Sequence, residues 1–329
     1  MKSYFNIDLQ RFAYNDIISR SDAEALIPTE VSKEIIQNVP QNSAVMSLSR
    51  QLPNMSRRQR TLPILAALMT AYFVNGEAGS SGGGLKQTAE LAWGNKSIVA
   101  EELAVIVPIP EAVLDDADYD IWGEVKPRMT EAFGKAYDQA VLYGTNAPAT
   151  WPINILAAAL AAGNSVVLGT GVDVYDDIMG ESGVLALVEA DGYGVTGHVA
   201  AMTMKAKLRG LRDANGVPIF NSSVQEKTRY TLDGEDMVLP KNGSIDASQS
   251  LLISGDWQQL VYAIRQDITY KVLTEAVIQD AAGNIVYNLA QQDMVALRAV
   301  MRLGWQLPNP INALQPVEAS RYPFAILRP

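Results

Sequence analysis

DIWGEVKPRMTEAFGKAYDQAVLYGT, residues 120–145, carries the clearest helical pattern in this chain. Apolar side chains recur at every fourth position, at Ile121, Val125, Met129, Phe133, Tyr137 and Val141. This spacing places them on one face and predicts a long helix over residues 118–143. Pro127 lies inside the pattern and predicts a kink or a break there, and Gly144 is a suitable terminator.

Aspartates crowd the predicted start of this helix, at Asp115, Asp116, Asp118 and Asp120. The positive end of a helix dipole favours carboxylates at that place. Neither this run nor a second acidic run, residues 173–177, has the D-x-[DN]-x-[DN]-G pattern of a calcium loop. We therefore interpret both runs as helix starts and solvated faces rather than as cation sites.

The residues before the long helix predict a long β-hairpin. Residues 61–74 are apolar and β-prone, and residues 96–109 alternate between apolar and polar side chains. The turn between them, NGEAGSSGGG at residues 75–84, predicts a mobile tip that contains Gly76, Gly79, Gly82, Gly83 and Gly84. Because two isolated strands are marginally stable in water, we expect another subunit to cover this hairpin.

The rest of the chain mixes helical and strand patterns in no regular order. Helices are predicted at residues 155–162, 174–190 and 203–212, and strands at residues 197–202, 250–253, 258–265, 268–273 and 293–303. In the last strand, alternation places Val295, Leu297, Ala299, Met301 and Leu303 on one face, and Arg298 and Arg302 on the other. Because there is no βαβ regularity and no internal repeat, the predicted fold class is α+β.

Composition excludes several kinds of chemistry. The 329 residues contain no cysteine, which excludes disulfides, thiolate catalysis and Cys-type zinc sites, and one histidine, His198. The formal net charge of −10 argues against charge-driven binding to nucleic acid as the main role. No apolar run reaches the roughly 18 residues that a membrane span needs.

Two glycine-rich motifs invite a nucleotide-binding interpretation, and neither has the required context. GYGVTG at residues 192–197 follows a helical stretch and precedes a strand, which reverses the order that a dinucleotide fingerprint needs. GSSGGGLK at residues 79–86 lacks the G-K-[ST] ending of a phosphate loop. His198 lies in an apolar strand without a G-x-S-x-G elbow elsewhere, so we interpret it as a hydrogen-bonded core or interface histidine.

A basic cluster, Arg50, Arg57, Arg58 and Arg60, departs locally from the acidic balance. Without interleaved aromatic residues it is weak evidence for nucleic-acid binding. Arginine suits carboxylate contacts at interfaces, so we expect this cluster to pair with the acidic surface at residues 115–120 of a neighbouring copy. The candidate inter-subunit contacts are Arg57, Arg58, Arg60, Asp115, Asp116 and Asp118.

The order of these segments resembles the major capsid proteins of tailed bacteriophages, which share the Hong Kong 97 fold. The arm ALIPTEVSKEIIQNVPQNSAVMSLSR (residues 25–50), the hairpin and the long helix are similar to that family's N-arm, E-loop and spine helix. Three later segments resemble it as well: KLRGLRDANGVPIF (207–220), SGDWQQLVYAIRQDITYKVLTEA (254–276) and QQDMVALRAVMRLGWQLPNPINAL (291–314). The matches are collinear over nearly the whole chain.

The resemblance implies both an architecture and a role. The expected divisions are an N-arm (1–50), the E-loop hairpin with flanking strands (51–110), the spine helix of the peripheral domain (111–149), an axial domain (150–290) and a returning peripheral strand with the C-terminal segment (291–329). The expected role is structural: hexamers and pentamers of an icosahedral head enclose double-stranded DNA, with no enzymatic activity, cofactor or membrane. Assembly is expected in the host bacterial cytoplasm.

Two departures from some relatives shape the expected partners. The N-arm match begins near Ala25, which leaves no room for a long scaffolding segment, so a separate scaffolding protein is expected beside a portal. Other relatives cross-link an E-loop lysine to an asparagine with help from a glutamate. Lys86 is present here, but the other two positions correspond to Asp293 and Val300, so no cross-link is expected.

Two other interpretations remain open at this stage. An encapsulin-like compartment uses the same fold to enclose an enzyme cargo, and neighbouring genes would distinguish it from a phage head. A soluble α+β hydrolase or transferase would be a monomer or small oligomer whose activity depends on His198.

Overall fold

The structure, a computed structural model, describes residues 43–71, 73–74, 88–89, 91–115, 121–212, 215–216 and 230–329. Its helices are α1 (Ala44–Leu48), α2 (Glu111–Asp115), α3 (Ile121–Tyr143), α4 (Ile155–Ala162), α5 (Val174–Met179), α6 (Val184–Ala190) and α7 (Met202–Gly210), with one 3₁₀ turn at Trp257–Gln259. Its strands are β1 (Arg50–Gln51), β2 (Gln59–Leu65), β3 (Trp93–Val99), β4 (Glu101–Pro110), β5 (Ser165–Val167), β6 (Gly197–Ala200), β7 (Thr231–Leu232), β8 (Glu235–Val238), β9 (Leu252–Gly255), β10 (Val261–Leu273), β11 (Val277–Gln279), β12 (Ile285–Asn288), β13 (Met294–Gln306) and β14 (Phe324–Arg328).

Helix α3 confirms the long helix and corrects one expectation about it. It runs without interruption from Ile121 to Tyr143 with Pro127 inside, so the predicted alternative of a break at Pro127 is wrong. Proline removes a single backbone hydrogen bond in the second turn of a 23-residue helix, and the remaining turns keep theirs. The four-residue spacing is confirmed by the burial of Met129, Phe133, Tyr137 and Val141.

The chain divides into two compact units. The first takes residues 105–128 and 270–299, and the second takes residues 34–104, 129–269 and 300–329, as far as the structure describes them. Helix α3 and strands β4, β10 and β13 contribute residues to both units, and these strands form one sheet in the order β1-β10-β13-β4.

The first unit contains a small antiparallel ladder, β11 with β12, in which Val277 pairs with Asn288. The turn after β12 closes through the fully buried Leu289, whose carbonyl accepts from the Met294 backbone N–H at 3.0 Å. The Glu111 N–H donates to the Asp293 carbonyl at 2.8 Å, which ties the start of α2 to the start of β13.

The second unit is built on a six-stranded mixed sheet in the order β5-β14-β9-β6-β8-β7. Strand β14 pairs in parallel with β5 and antiparallel with β9. Helices α5, α6 and α7 contribute Ile178, Val188 and Met204 to one buried core with this sheet. Gly255 is required on β9, because a Cβ there would collide with the Pro323 carbonyl and the Phe324 ring on β14.

Several predicted element bounds change, each for a local reason. The helix predicted at residues 174–190 is two helices, separated at residues 180–183, where Gly183 lies so close to the Ile178 carbonyl that a Cβ would approach its oxygen to 2.7 Å. The strands predicted at residues 258–265 and 268–273 are one strand, β10, preceded by the 3₁₀ turn. Among the described residues of the predicted hairpin, β2 pairs with β3, and the Ala66 and Ala67 N–H groups also donate to the Ala92 carbonyl. Residues 66–71 and 73–74 are not strand, so strand structure over the whole of residues 61–74 is wrong.

Candidate inter-subunit surfaces

The hairpin of β2 and β3 has a buried base. The two strands pair antiparallel from Gln59 with Val99 to Leu65 with Trp93. At the base, Ile98 is fully buried and packs in a cluster with Met55, Ala100, Val261 and Ala263. This packing holds the hairpin base against β10 within the second unit.

The far end of the same hairpin is apolar and uncovered. Phe73 is 97% exposed, Trp93 68% and Met69 63%, and Leu68 and Leu91 are exposed as well. A group of large apolar side chains in water marks a surface that binds a partner. The glycines predicted to form the mobile tip, with Lys86, lie outside the described residues.

The arginine cluster at the hairpin base is partly engaged within its own chain. Arg58 Nη2 donates to Glu101 Oε1 at 2.6 Å, and this bond, ahead of one from Thr150, lowers the pKa of Glu101. Arg60 Nη1 donates to the Pro53 carbonyl at 2.7 Å. Arg57 is exposed.

The acidic counterparts predicted for that cluster are only partly described. Asp115 is exposed at the end of α2, whereas Asp116 and Asp118 lie outside the described residues. A pairing between Arg57 and the aspartates of a neighbouring copy therefore stays a prediction. Arg58 and Arg60 already have partners within the chain, which leaves Arg57 as the cation of this trio best placed for such a contact.

A buried carboxylate on α3 holds the first described residues of the chain, and sequence reasoning missed it. Asp138 accepts from the Ser43 hydroxyl at 2.5 Å, the Ala44 N–H at 2.9 Å and the Val45 N–H at 3.2 Å. Burial raises the pKa of Asp138 to about 6, although these donors act to lower it. No local signal marks it, because the same helix face carries other polar residues, Lys126 and Thr130.

His198 is a buried, hydrogen-bonded histidine, as the sequence predicts. Its Nε2 lies 2.9 Å from the Leu232 carbonyl oxygen, which can only accept, so Nε2 carries the proton. Nδ1 then accepts from the Ser254 hydroxyl at 2.9 Å. Because both side chains are fully buried, substrate has no access to them, and burial lowers the pKa of His198.

The remaining motifs have structural roles. Gly192 has φ +80° in the turn after α6, and Gly197 begins β6, so the helix–turn–strand order expected of GYGVTG is confirmed. In the run at residues 173–177, Asp173 caps α5 and the buried Asp177 accepts from the N–H groups of Gly169 and Gly171 at 2.7 and 2.6 Å. Within the described residues, no group of three His, Cys, Asp or Glu is arranged to hold a metal ion.

The two positions assigned to cross-linking chemistry are placed in the fold. Asp293 immediately precedes β13 and has a positive φ of +49°, and Val300 is a buried residue within β13. Since the lysine lies outside the described residues, the absence of a cross-link stays a prediction.

No helix in the described part of the chain is long and apolar enough to cross a lipid bilayer.

Comparisons with known proteins agree with this geometry. The sequence model of the phage capsid family matches residues 23–318. The major capsid protein of Staphylococcus phage 80alpha is 28% identical over 309 residues, which cover 92% of this chain and 88% of that protein. The chain therefore belongs to the phage capsid family.

Solved structures show the same fold. A chain from Microbacterium phage Oxtober96 is 37% identical with a TM-score of 0.77, covering 95% of this chain and 99% of that one. A chain from Mycobacterium phage Cain is 31% identical with a TM-score of 0.76, covering 95% and 98%. The predicted α+β, Hong Kong 97-like fold is confirmed, and with it the role of a structural capsid protein.

Proposed function

We propose that this chain is the major shell subunit of a phage head and assembles into the hexamers and pentamers of an icosahedral capsid. The observation that carries the proposal is the uncovered apolar end of the β2–β3 hairpin. Phe73, Trp93 and Met69 are each more than 60% exposed in the single chain. Burial of such side chains is worth about 1.5–3 kcal/mol each, which a neighbouring copy can supply.

The contrast between the buried base of the hairpin and its exposed end supports the role of a shell subunit. The hairpin base packs firmly on its own unit, whereas its end has no cover within the described residues. One copy that covers the next in this way repeats the same contact around a ring. Small contact energies that recur in every copy then give a stiff and cooperative shell.

We infer the enclosed material from the net charge of the chain, and the assembly partners from its membership of the phage capsid family. The net charge of −10 suits a container for double-stranded DNA, because the wall repels the phosphates and the DNA moves without sticking. We infer that a separate scaffolding protein and a portal assist assembly in the host bacterial cytoplasm. The subunit has no enzymatic activity in this proposal, and the buried Ser254 and His198 pair serves the fold alone.

The test is the assembly state of the purified chain. Light scattering after size-exclusion chromatography, followed by negative-stain microscopy, is expected to show capsomer rings or closed shells. A chain that remains a monomer across a hundredfold range of concentration, with and without the scaffolding protein of the same phage, would contradict the proposal.

A further inference from the structure

The second compact unit separates its charges along the chain. Between Lys135 and Lys205 the sequence contains no lysine or arginine, but it contains seven acidic residues: Asp138, Asp173, Asp176, Asp177, Glu181, Glu189 and Asp191. The next eight residues reverse this balance, with four basic residues and no acidic one: Lys205, Lys207, Arg209 and Arg212. Both segments belong to the second unit. Asp138, Asp177 and Asp191 are buried, so the surface charge of the acidic segment comes from Asp173, Asp176, Glu181 and Glu189.

The basic segment is presented on the outer side of α7. Met204 and Leu208 are buried in the core, which directs Lys207 and Arg209 to the solvent. Arg212 follows the helix and donates through Nη1 to the carbonyls of Arg209 and Leu211, at 2.7 and 2.9 Å. We call Lys207, Arg209 and Arg212, with the 43%-exposed Met202, the basic helix face.

The acidic segment is presented around the start of α5. Asp173 accepts from the Asp176 N–H at 2.9 Å and Asp176 from the Val172 N–H at 3.1 Å. The Asp173 side chain is exposed and that of Asp176 is half-buried. Val172 is 97% exposed and Tyr175 is 44% exposed beside them. We call Asp173, Asp176 and Glu181, with these two apolar residues, the acidic loop face.

We propose that the basic helix face of one copy binds the acidic loop face of a second copy. Each face combines like charges with uncovered apolar side chains, and the two faces are complementary in charge. Opposite potentials guide association and fix register, while the apolar side chains supply contact area. This inference rests on the proposed function, because it names one of the surfaces through which the shell subunits associate.

A second copy fits the basic helix face better than nucleic acid does. Three exposed cations on a chain of net charge −10 give weak binding to phosphates, which physiological salt screens further. A second copy offers carboxylates at the high local concentration that assembly creates. The pairing is also head-to-tail, because each copy uses one face to bind the copy before it and the other face to bind the copy after it. Contacts of this kind can close into rings.

Paired charge reversals test the proposal. One variant carries Lys207→Glu with Arg209→Glu, a second carries Asp173→Lys with Glu181→Lys, and a third carries all four changes. Lys241→Glu with Arg265→Glu is the matched control, since both residues are exposed in the same unit. Circular dichroism establishes that each variant is folded, and sedimentation velocity measures association.

Each two-residue reversal of the faces is expected to weaken association about tenfold or more, and the four-residue variant to return to within about threefold of the wild type. The control is expected to associate like the wild type. The proposal is wrong if the reversals leave association unchanged, or if the four changes together do not restore it. It is also wrong if Lys207→Glu with Arg209→Glu reduces the binding of DNA and leaves the association of the subunits unchanged.

Failure of the proposed function gives a different result. In that case the wild-type chain itself does not associate, whatever its variants do. If the wild type associates and none of the charge reversals changes this association, the proposed contact is wrong, but the proposed function as a shell subunit is not contradicted.

Discussion

Asp138 and His198 are buried ionisable side chains whose pKa values shift in opposite senses from their ordinary ranges. Burial raises the pKa of Asp138 to about 6 and lowers that of His198, because each charged form loses its hydration. The stability that Asp138 contributes is therefore present below its unfolded pKa, near 4, and is lost as the pH rises through 6. The contribution of His198 is present above about 6.5 and is lost as the pH falls.

Replacing Asp138 by Asn removes the ionisable group at this position and keeps an acceptor for the Ser43 hydroxyl. As the pH rises from about 4 to 7, the free energy of unfolding of the wild type is expected to fall relative to that of the variant. Guanidinium unfolding at several pH values measures this difference. A difference that does not change with pH would contradict the assignment.

Replacing Asp138 by Ala is the harsher companion change. It leaves the Ser43 hydroxyl and the Ala44 and Val45 N–H groups without their acceptor, which costs about 2 kcal/mol or more at every pH. Limited proteolysis near Ser43 is expected to become faster in this variant than in Asp138→Asn. Equal cleavage rates in the two variants would mean that the carboxylate does not hold this segment.

For His198, the informative substitution is Gln, which retains hydrogen-bonding capacity but does not titrate. The loss of unfolding free energy between pH 7 and 5 is expected to be smaller in the variant than in the wild type. Chemical denaturation at these two pH values provides the measurement. If the variant loses as much unfolding free energy between pH 7 and 5 as the wild type does, groups other than His198 cause the loss.

At the scale of elements, glycine substitutions test the close approach of β9 and β14. Gly255→Ala is expected to destabilise the chain by about 3 kcal/mol, because the new methyl group meets the Pro323 carbonyl and the Phe324 ring. Gly210→Ala is the control, since nothing lies within 4 Å of a Cβ there at the end of α7. A change of less than about 0.5 kcal/mol at Gly255 would contradict the packing described.

The elements also show how far sequence reasoning reaches. The helix of residues 121–143 follows from the periodic placement of apolar residues such as Phe133, which burial confirms. In the last long strand the face of Leu297 is buried as predicted, but Ala296 and Val300 on the face of the two arginines are buried as well. The division at Gly183 was missed, because the crowding by the Ile178 carbonyl arises only after the chain has folded. Periodicity reports which face is buried, and it does not report where two backbones approach.

The surfaces were predicted less completely than the elements, for a related reason. The apolar end of the hairpin could be expected from composition, but the pairing of Arg58 with Glu101 joins residues 43 positions apart. The same holds for Asp138 and Ser43, which are 95 positions apart. Contacts of this kind depend on the tertiary fold, and a local pattern cannot indicate them.

For the molecule as a whole, we expect the apolar end of the hairpin to be needed for assembly and not for the stability of the single chain. Phe73→Ser and Trp93→Ser are expected to leave the unfolding free energy of the single chain within about 0.5 kcal/mol, because both side chains lie in water there. The same changes are expected to abolish closed shells. Ile98→Ser is the contrasting control, since it loses stability through the buried base of the hairpin.

The most direct test of the account is an electron cryomicroscopy reconstruction of the particles that the wild-type chain forms. We predict closed icosahedral shells in which the hairpin of each copy lies on a neighbour and Phe73 and Trp93 are covered. Particles in which these side chains remain exposed to solvent, or a preparation that contains only monomers and small oligomers, would contradict it.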